Sequence, residues 1–223
     1  MNKQFSSDTC TRWNLSYLSA NKCISLKIIL DNPSIPWNYF YMAHNENLTW
    51  DFIKLNLTKN WDWTIISSKK YITLDIIESN PELPWNWYNL SYNPNLTWQF
   101  IKDNIEKRWD WNYLSKHDII IFDIIKPNLE LPAKSCPHWN VWCVSQNPNI
   151  TWNIIINNPS FNWDWRGISL NKNITVKIIK NNPDKPWRWD YISGNPNITW
   201  NFIMDNKDKR WGFYKISSNP FST

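Results

Sequence analysis

Catalysis or metal binding needs nucleophiles, bases or ligands at usable spacing, and the first candidates in this 223-residue chain are its histidines, His44, His117 and His138. Each falls at a place where the parallel stretches of the chain carry a different residue, so no histidine constellation builds up. The four cysteines, Cys10, Cys23, Cys136 and Cys143, have spacings that match no common zinc pattern and are too few for a disulfide scaffold. Cys136, His138 and Cys143 come near one another in sequence, but three ligands without a fourth do not close a structural site. No HExxH, GxSxG or glycine-rich phosphate string occurs. Carboxylates recur at Asp62, Asp110 and Asp164, one residue after a Trp, which reads as a helix-capping or solvated position. The expectation is a chain with no catalytic residue, no cofactor and no metal.

The elements that would hold any such residues are written in a repeat. Aligned on the Thr of Asn-Leu/Ile-Thr, the anchors are Ser25, Thr49, Thr73, Thr97, Ile121, Thr151, Thr175, Thr199 and Thr223, spaced by 24 residues except for one step of 30. That step contains a six-residue insertion, Ala133 to His138. A Trp stands twelve residues before every anchor: Trp13, Trp37, Trp61, Trp85, Trp109, Trp139, Trp163, Trp187 and Trp211. Further rows, two residues later and directly after the anchor, hold all but one of the remainder of the 19 Trp, the exception being Trp142. The leading row is the expected structural core, together with the Ile found four residues after each internal anchor, from Ile29 to Ile203.

Each unit reads as two short helices. In Thr97-Trp98-Gln99-Phe100-Ile101-Lys102-Asp103-Asn104 an N-capping hydroxyl comes first, Lys comes late, and Asn ends the run, with Pro following in the copies at Asn158 and Asn182. Trp61 to Ser67 has the apolar spacing of a second helix buried on most sides. Between the two, Asn-Pro-Asn makes a turn without glycine, because Asn bonds its own backbone and tolerates left-handed geometry. That substitution suits a chain with 3 Gly, 14 Pro and 33 Asn. The predicted fold is therefore mainly α, a solenoid of about nine 24-residue helix-turn-helix repeats forming one domain over residues 1–223, with an N-terminal cap at 1–12. The alternative is a leucine-rich-repeat-like α/β solenoid, since Leu48, Trp50 and Phe52 alternate with polar residues. The leucine ladder of that architecture is absent, however, and paired Ile after the anchor fits a helical stripe.

Two helices of about two turns cannot bury an apolar face alone, so stacking on neighbours must supply stability. A buried Trp removes on the order of 150–250 Å² from water, roughly 4–6 kcal/mol gross at about 25 cal/mol per Å². The residue after the anchor alternates between large and smaller from Leu26 and Trp50 onward, which predicts a 48-residue structural unit in which alternate repeats resemble one another most.

With the tryptophans committed to the core, function is expected on the positions that vary between repeats. These lie two, five and six residues after the anchor, and include Asp51, Lys54, Asp75, Glu78, Lys102, Lys126, Lys177 and Lys180. Such a face suits a protein partner and a non-enzymatic scaffold. Binding of single-stranded nucleic acid along a basic face is the alternative, because aromatics interleaved with Lys, and Arg12, Arg108 and Arg210 before leading Trp residues, are used by such proteins. Acidic and apolar residues interrupt the Lys row, and a net charge of +5 is weak for this length. Eight Asn-x-Ser/Thr strings arise largely because a turn Asn and the capping Thr stand two apart. No apolar run approaches the roughly 18 residues of a membrane helix and the start lacks a signal-peptide core, so a soluble, non-secreted chain is expected.

Two strings, Asn195-Pro196-Asn197-Ile198-Thr199-Trp200 and Ile178-Ile179-Lys180-Asn181-Asn182-Pro183-Asp184-Lys185-Pro186-Trp187-Arg188-Trp189, resemble the tryptophan-rich short repeats of giant DNA viruses. The resemblance runs from Trp13 to Thr223. That family carries no established activity, so the likeness implies a viral origin and a repeat architecture, with the infected host cytoplasm or the virion as location. Departures from the pattern are Ala43 in place of the usual Ser, Ile121 at an anchor, Trp142 out of register, and the insertion.

Overall fold

The computed structural model describes residues 13–128 and 139–221, so the expected cap at 1–12, the insertion at 133–138 and Thr223 lie outside the described residues. Among the described residues there are 17 short helices and no strand, which gives a mainly α fold and leaves the α/β alternative without support. The chain divides into two compact units, residues 1–109 and 110–223.

In the first unit the helices that follow an anchor are Leu26–Asp31, Trp50–Leu55, Leu74–Ser79 and Trp98–Asp103, and the second helices are Leu15–Ala20, Tyr39–Met42, Trp63–Ser67 and Trp87–Leu90. The anchor hydroxyls do what their sequence position demands. Thr49, Thr73 and Thr97 Oγ1 accept from the backbone N–H groups of Phe52, Ile76 and Phe100 at 3.4, 3.4 and 3.2 Å. Asp62 caps the second helix by accepting from Thr64 N–H at 3.0 Å. In the second unit the anchor helices are Phe122–Asn128, Trp152–Asn157, Val176–Asn181 and Trp200–Asp205, and the second helices are Trp111–Leu114, Val141–Ser145, Trp165–Leu170, Trp189–Ile192 and Phe213–Ser218. There Thr151, Thr175 and Thr199 cap likewise, and Asp110 and Asp164 start second helices.

Within each unit the core is assembled from the same rows. Ile29, Ile53, Ile77 and Ile101 are buried in the first, and Ile125, Ile155, Ile179 and Ile203 in the second. Trp37, Trp61, Trp85, Trp109, Trp163, Trp187 and Trp211 are 4–8 % exposed. Each sends its indole Nε1–H to the carbonyl of the helix-ending Asn five residues earlier, as Trp85 does to Asn80 at 2.8 Å and Trp187 to Asn182 at 2.7 Å. A ring that buries its body while its only donor finds a partner is the arrangement a core Trp needs. Two members of the expected core row depart from it. Trp13 is 38 % exposed and Trp139 is half-buried. For both, the residue five places earlier lies outside the described residues, so the loop carbonyl that fixes the other rings is not among the described atoms.

The turn asparagines carry more than a turn. Asn93 Oδ1 accepts from Asn95 N–H at 2.9 Å, shaping its own loop, while its Nδ2 donates to the carbonyls of Ser67, Lys69 and Ile72 in the preceding repeat at 3.0, 3.2 and 3.0 Å. Asn95 Nδ2 adds bonds to Lys70 and Ile72. The same pattern joins Asn45 and Asn47 to the repeat before them, and in the second unit Asn147, Asn149, Asn171, Asn173, Asn195 and Asn197. A buried serine row completes the ladder: Ser67 Oγ donates to Trp63 O at 2.7 Å and accepts from Asn86 N–H at 2.9 Å. Short helices leave many unpaired backbone groups, and where these side chains are present they satisfy such groups in the neighbouring repeat. Left-handed geometry is not needed, for among the described residues only Phe221 has a positive φ outside glycine.

One interface in the first unit lacks the ladder. Where the third repeat meets the second, Ala43 replaces the serine and Lys69 and Tyr71 replace the two asparagines. The Tyr71 hydroxyl is buried there without a hydrogen-bond partner, and burial pushes its ionisation far above the ordinary phenol range. Aromatic packing persists across this seam, with Tyr39 edge-on to Trp61 at 5.2 Å.

In the first unit the loop that ends each anchor helix alternates from one repeat to the next. The helix-ending Asn32 and Asn80 have ψ of 60° and 58°, against 30° and 36° for Asn56 and Asn104. In the second unit Asn158 and Asn182, in consecutive repeats, both stand near 60°, and only Asn206 differs, at 40°. A proline follows every Asn of the first kind, and it disfavours helical ψ at the residue before it. Local proline placement, and not strict alternation, therefore sets the loop type.

Candidate interaction surface

Anchor helices of six or seven residues expose the side opposite their buried Ile, and that side carries the variable charges. Asp51, Lys54, Asp75, Glu78 and Lys102 in the first unit are exposed, as are Lys126, Lys177 and Lys180 in the second. The two sets differ in balance. Residues 1–109 carry eleven basic against ten acidic side chains, and residues 110–223 carry thirteen against nine. Lys180 Nζ lies 3.5 Å from Asp205 and over the Phe202 ring, and Lys126 Nζ donates to Asn158 Oδ1 at 3.2 Å. No pair on this face is buried, so its charges are free to re-pair at little cost.

A second exposed row was not legible from the repeat. The outward side of the second helices in the first unit carries Tyr17, Phe40, Tyr41 and Tyr88, exposed by 76, 41, 42 and 52 %. In the second unit Lys116 lies over the Trp142 ring at 4.3 Å and Lys215 over Tyr191 at 3.9 Å. The signal was the aromatic content of positions next to the tryptophan rows, which are too irregular between copies to stand out in a consensus.

Two grooves repeat the same chemistry, one in each unit. The first, of about 560 Å³, is lined by Trp85, Trp87 and Tyr88 together with Glu106, Lys107 and Arg108 of the next loop. The second, of about 570 Å³, has Trp187, Arg188 and Trp189 with Asp208, Lys209 and Arg210. Lys107 Nζ sits 5.3 Å from the Trp87 ring and 3.3 Å from Glu106; Lys209 sits 5.7 Å from Trp189 and 2.8 Å from Asp208. Glu106 is held below the usual carboxylate range first by a bond to its own backbone and then by Lys107, and Asp208 first by Lys209.

The residues that could do chemistry stay apart or serve the fold. His117 occupies a turn-asparagine position, and its Nδ1 accepts from Ile119 N–H at 3.2 Å as an Asn oxygen does elsewhere. The ring also neighbours Asp118 at 3.0 Å and the Tyr113 ring at 5.6 Å, and His44 is exposed. Cys23 is an exposed free thiol, while Cys143 is buried, which pushes its thiol up. Cys10, Cys136 and His138 lie outside the described residues. Among the described residues no three His, Cys, Asp or Glu side chains converge as a metal site would require, and no helix is long and apolar enough to cross a membrane. No family model, curated protein or solved structure matches the chain.

Proposed function

We propose that this protein is a non-enzymatic scaffold, a solenoid of 24-residue helical repeats that binds another protein through the exposed side of its anchor helices. The observation that carries this reading is the division of labour between rows. Trp, Asn and Ser side chains are consumed by packing and by the interface ladder, and the side chains that change from repeat to repeat are the exposed charges from Asp51 to Lys180. Variable residues on a rigid, repeated frame are how repeat proteins build extended binding surfaces. The likeness to tryptophan-rich repeats of giant DNA viruses supports looking for that partner in an infected cell or in the virion.

A nucleic-acid ligand is disfavoured by the same observation. Stacking on bases needs open indole faces, and seven indoles of the leading row, from Trp37 to Trp211, are enclosed.

Comparative affinity capture from infected cells tests the reading. The wild-type chain is expected to retain a stoichiometric protein, and a variant with Lys54→Glu, Lys102→Glu, Lys177→Glu and Lys180→Glu, its circular dichroism unchanged, is expected to lose it. A partner kept at full occupancy by that variant, or material removed by nuclease treatment, would contradict it.

A further inference from the structure

The two equivalent grooves go further than a general interaction surface. Measured from their anchors, Trp85 and Trp187 stand at one position, Trp87 and Trp189 at another, and Glu-Lys-Arg at 106–108 matches Asp-Lys-Arg at 208–210. The acidic residue neutralises the lysine beside it in each copy, at 3.3 and 2.8 Å. What is left over is the arginine. Among the described residues neither Arg108 nor Arg210 has an ion-pair or hydrogen-bond partner, and both are exposed at the groove.

A free guanidinium beside indole walls selects an oxyanion that can meet its planar fork with two parallel hydrogen bonds. The indoles do not select a base. Trp87 is stacked by Phe100 at 6.0 Å and 14°, and Trp189 by Phe202 at 5.9 Å and 19°, while Lys107 and Lys209 lie over the same rings. A phosphate backbone would also pass the carboxylates of Glu106 in one groove and of Asp190 and Asp208 in the other. A side-chain carboxylate, reaching in on its own arm, can meet one guanidinium without its main chain running along the groove past those groups. We propose that the Arg108 and Arg210 grooves are two copies of one site that binds Asp or Glu side chains of an acidic segment in a protein partner. This rests on the scaffold reading and names the chemistry of its ligand.

The same first unit contains a natural comparison. Lys59 lies over the Tyr39 ring at 5.3 Å in the corresponding place, but Asn60 stands where the arginine would be. That copy has the lysine and the aromatic wall without the free fork.

Titration of the full-length labelled protein with the peptide acetyl-Gly-Glu-Glu-Gly-amide, followed by arginine Nε–H NMR signals and, in the arginine variants, by the indole N–H signals of the groove tryptophans, tests the proposal. Arg108 and Arg210 signals are expected to move saturably, and the Gln-for-Glu peptide to move neither. Arg108→Gln should weaken binding at its own groove by about tenfold, the scale of one charge-assisted hydrogen bond, and leave the Arg210 groove unchanged; Arg210→Gln should do the converse. Asn60→Arg should create a third responsive signal. The proposal is overturned if the Glu peptide moves neither arginine, or if an oligothymidylate moves both more strongly than the peptide does. Should the partner captured by the wild type be retained by the Arg108→Gln, Arg210→Gln double variant, the grooves are excluded while the anchor-helix face stands.

Discussion

The side-chain amide of Asn93 donates to the carbonyl of Ile72 at 3.0 Å, tying one repeat to the one before it. Because the same side chain also bonds Ser67 and Lys69, Asn93→Ala takes a donor from the buried Ser67 carbonyl and one of two donors from each of the Lys69 and Ile72 carbonyls. The expected loss is about 2–4 kcal/mol in urea unfolding of the full chain. Asn93→Asp should cost more, since a carboxylate then faces carbonyl oxygens. A loss under about 0.5 kcal/mol would show that the ladder is not a source of stability.

Truncation of the leading tryptophans should track their burial. Trp85 is 6 % exposed, holds Asn80 O, and meets Trp63 edge-on at 5.1 Å. Trp85→Ala should cost on the order of 3–5 kcal/mol, and Trp13→Ala, at a 38 % exposed ring, below about 1.5 kcal/mol. Denaturant midpoints of the two variants check the order.

At the seam between the second and third repeats the direction reverses. The Tyr71 hydroxyl is buried without a partner, so Tyr71→Phe removes a polar group that gains nothing from its place. The variant should be as stable as the wild type or up to about 1 kcal/mol more stable. Calorimetry that finds Tyr71→Phe clearly less stable would mean that the hydroxyl has a role at this interface.

Acid should loosen the second unit through Asp164. Its carboxylate is held low, first by the Arg166 guanidinium and then by the N–H groups of Arg166 and Gly167 that it caps. A folded-state value below the unfolded one gives stability that is full above the ordinary carboxylate range and is lost as pH falls through that range toward the lowered value. Asp164→Asn keeps an acceptor for the cap but cannot titrate, so the fall in melting temperature below about pH 4 should be shallower in the variant.

Gly167 is required by a close approach. A Cβ there would stand 2.5 Å from the Trp142 carbonyl oxygen and 2.7 Å from Ser145 Cβ, so Gly167→Ala must push apart the helices Val141–Ser145 and Trp165–Leu170. The expected cost in thermal unfolding is about 1–3 kcal/mol, opposite in sign to the gain alanine usually brings inside a helix.

The order of helices was legible because each rests on a local signal: Thr97 before Trp98, Asp62 before Trp63, and Ile101 four residues past its anchor. The ladder was not, although its trace is present. Asn171-Lys172-Asn173 and Asn45-Glu46-Asn47 keep both asparagines where proline is lost, which a turn alone does not require. What hid the role is that its partners are carbonyls 21 to 32 residues away, and backbone groups leave no mark on a sequence. The exposed anchor-helix residues were readable as the variable positions of a repeat. The grooves were not, since Arg108 and Trp87 become neighbours only after one loop folds over the preceding helix.

Side chains of one repeat satisfy backbone groups of its neighbour, and Ala43 interrupts that bonding at one place. Asp62 and Asn86 occupy equivalent positions, but the Asn86 amide donates to Ser67 Oγ at 2.9 Å while the corresponding place beside Asp62 holds Ala43. Residue-resolved hydrogen exchange on the intact protein measures the difference directly. Exchange at Asp62 at least about fivefold faster than at Asn86, with Ala43→Ser slowing it, is the predicted result; equal rates at the two amides, unchanged by Ala43→Ser, would contradict the account.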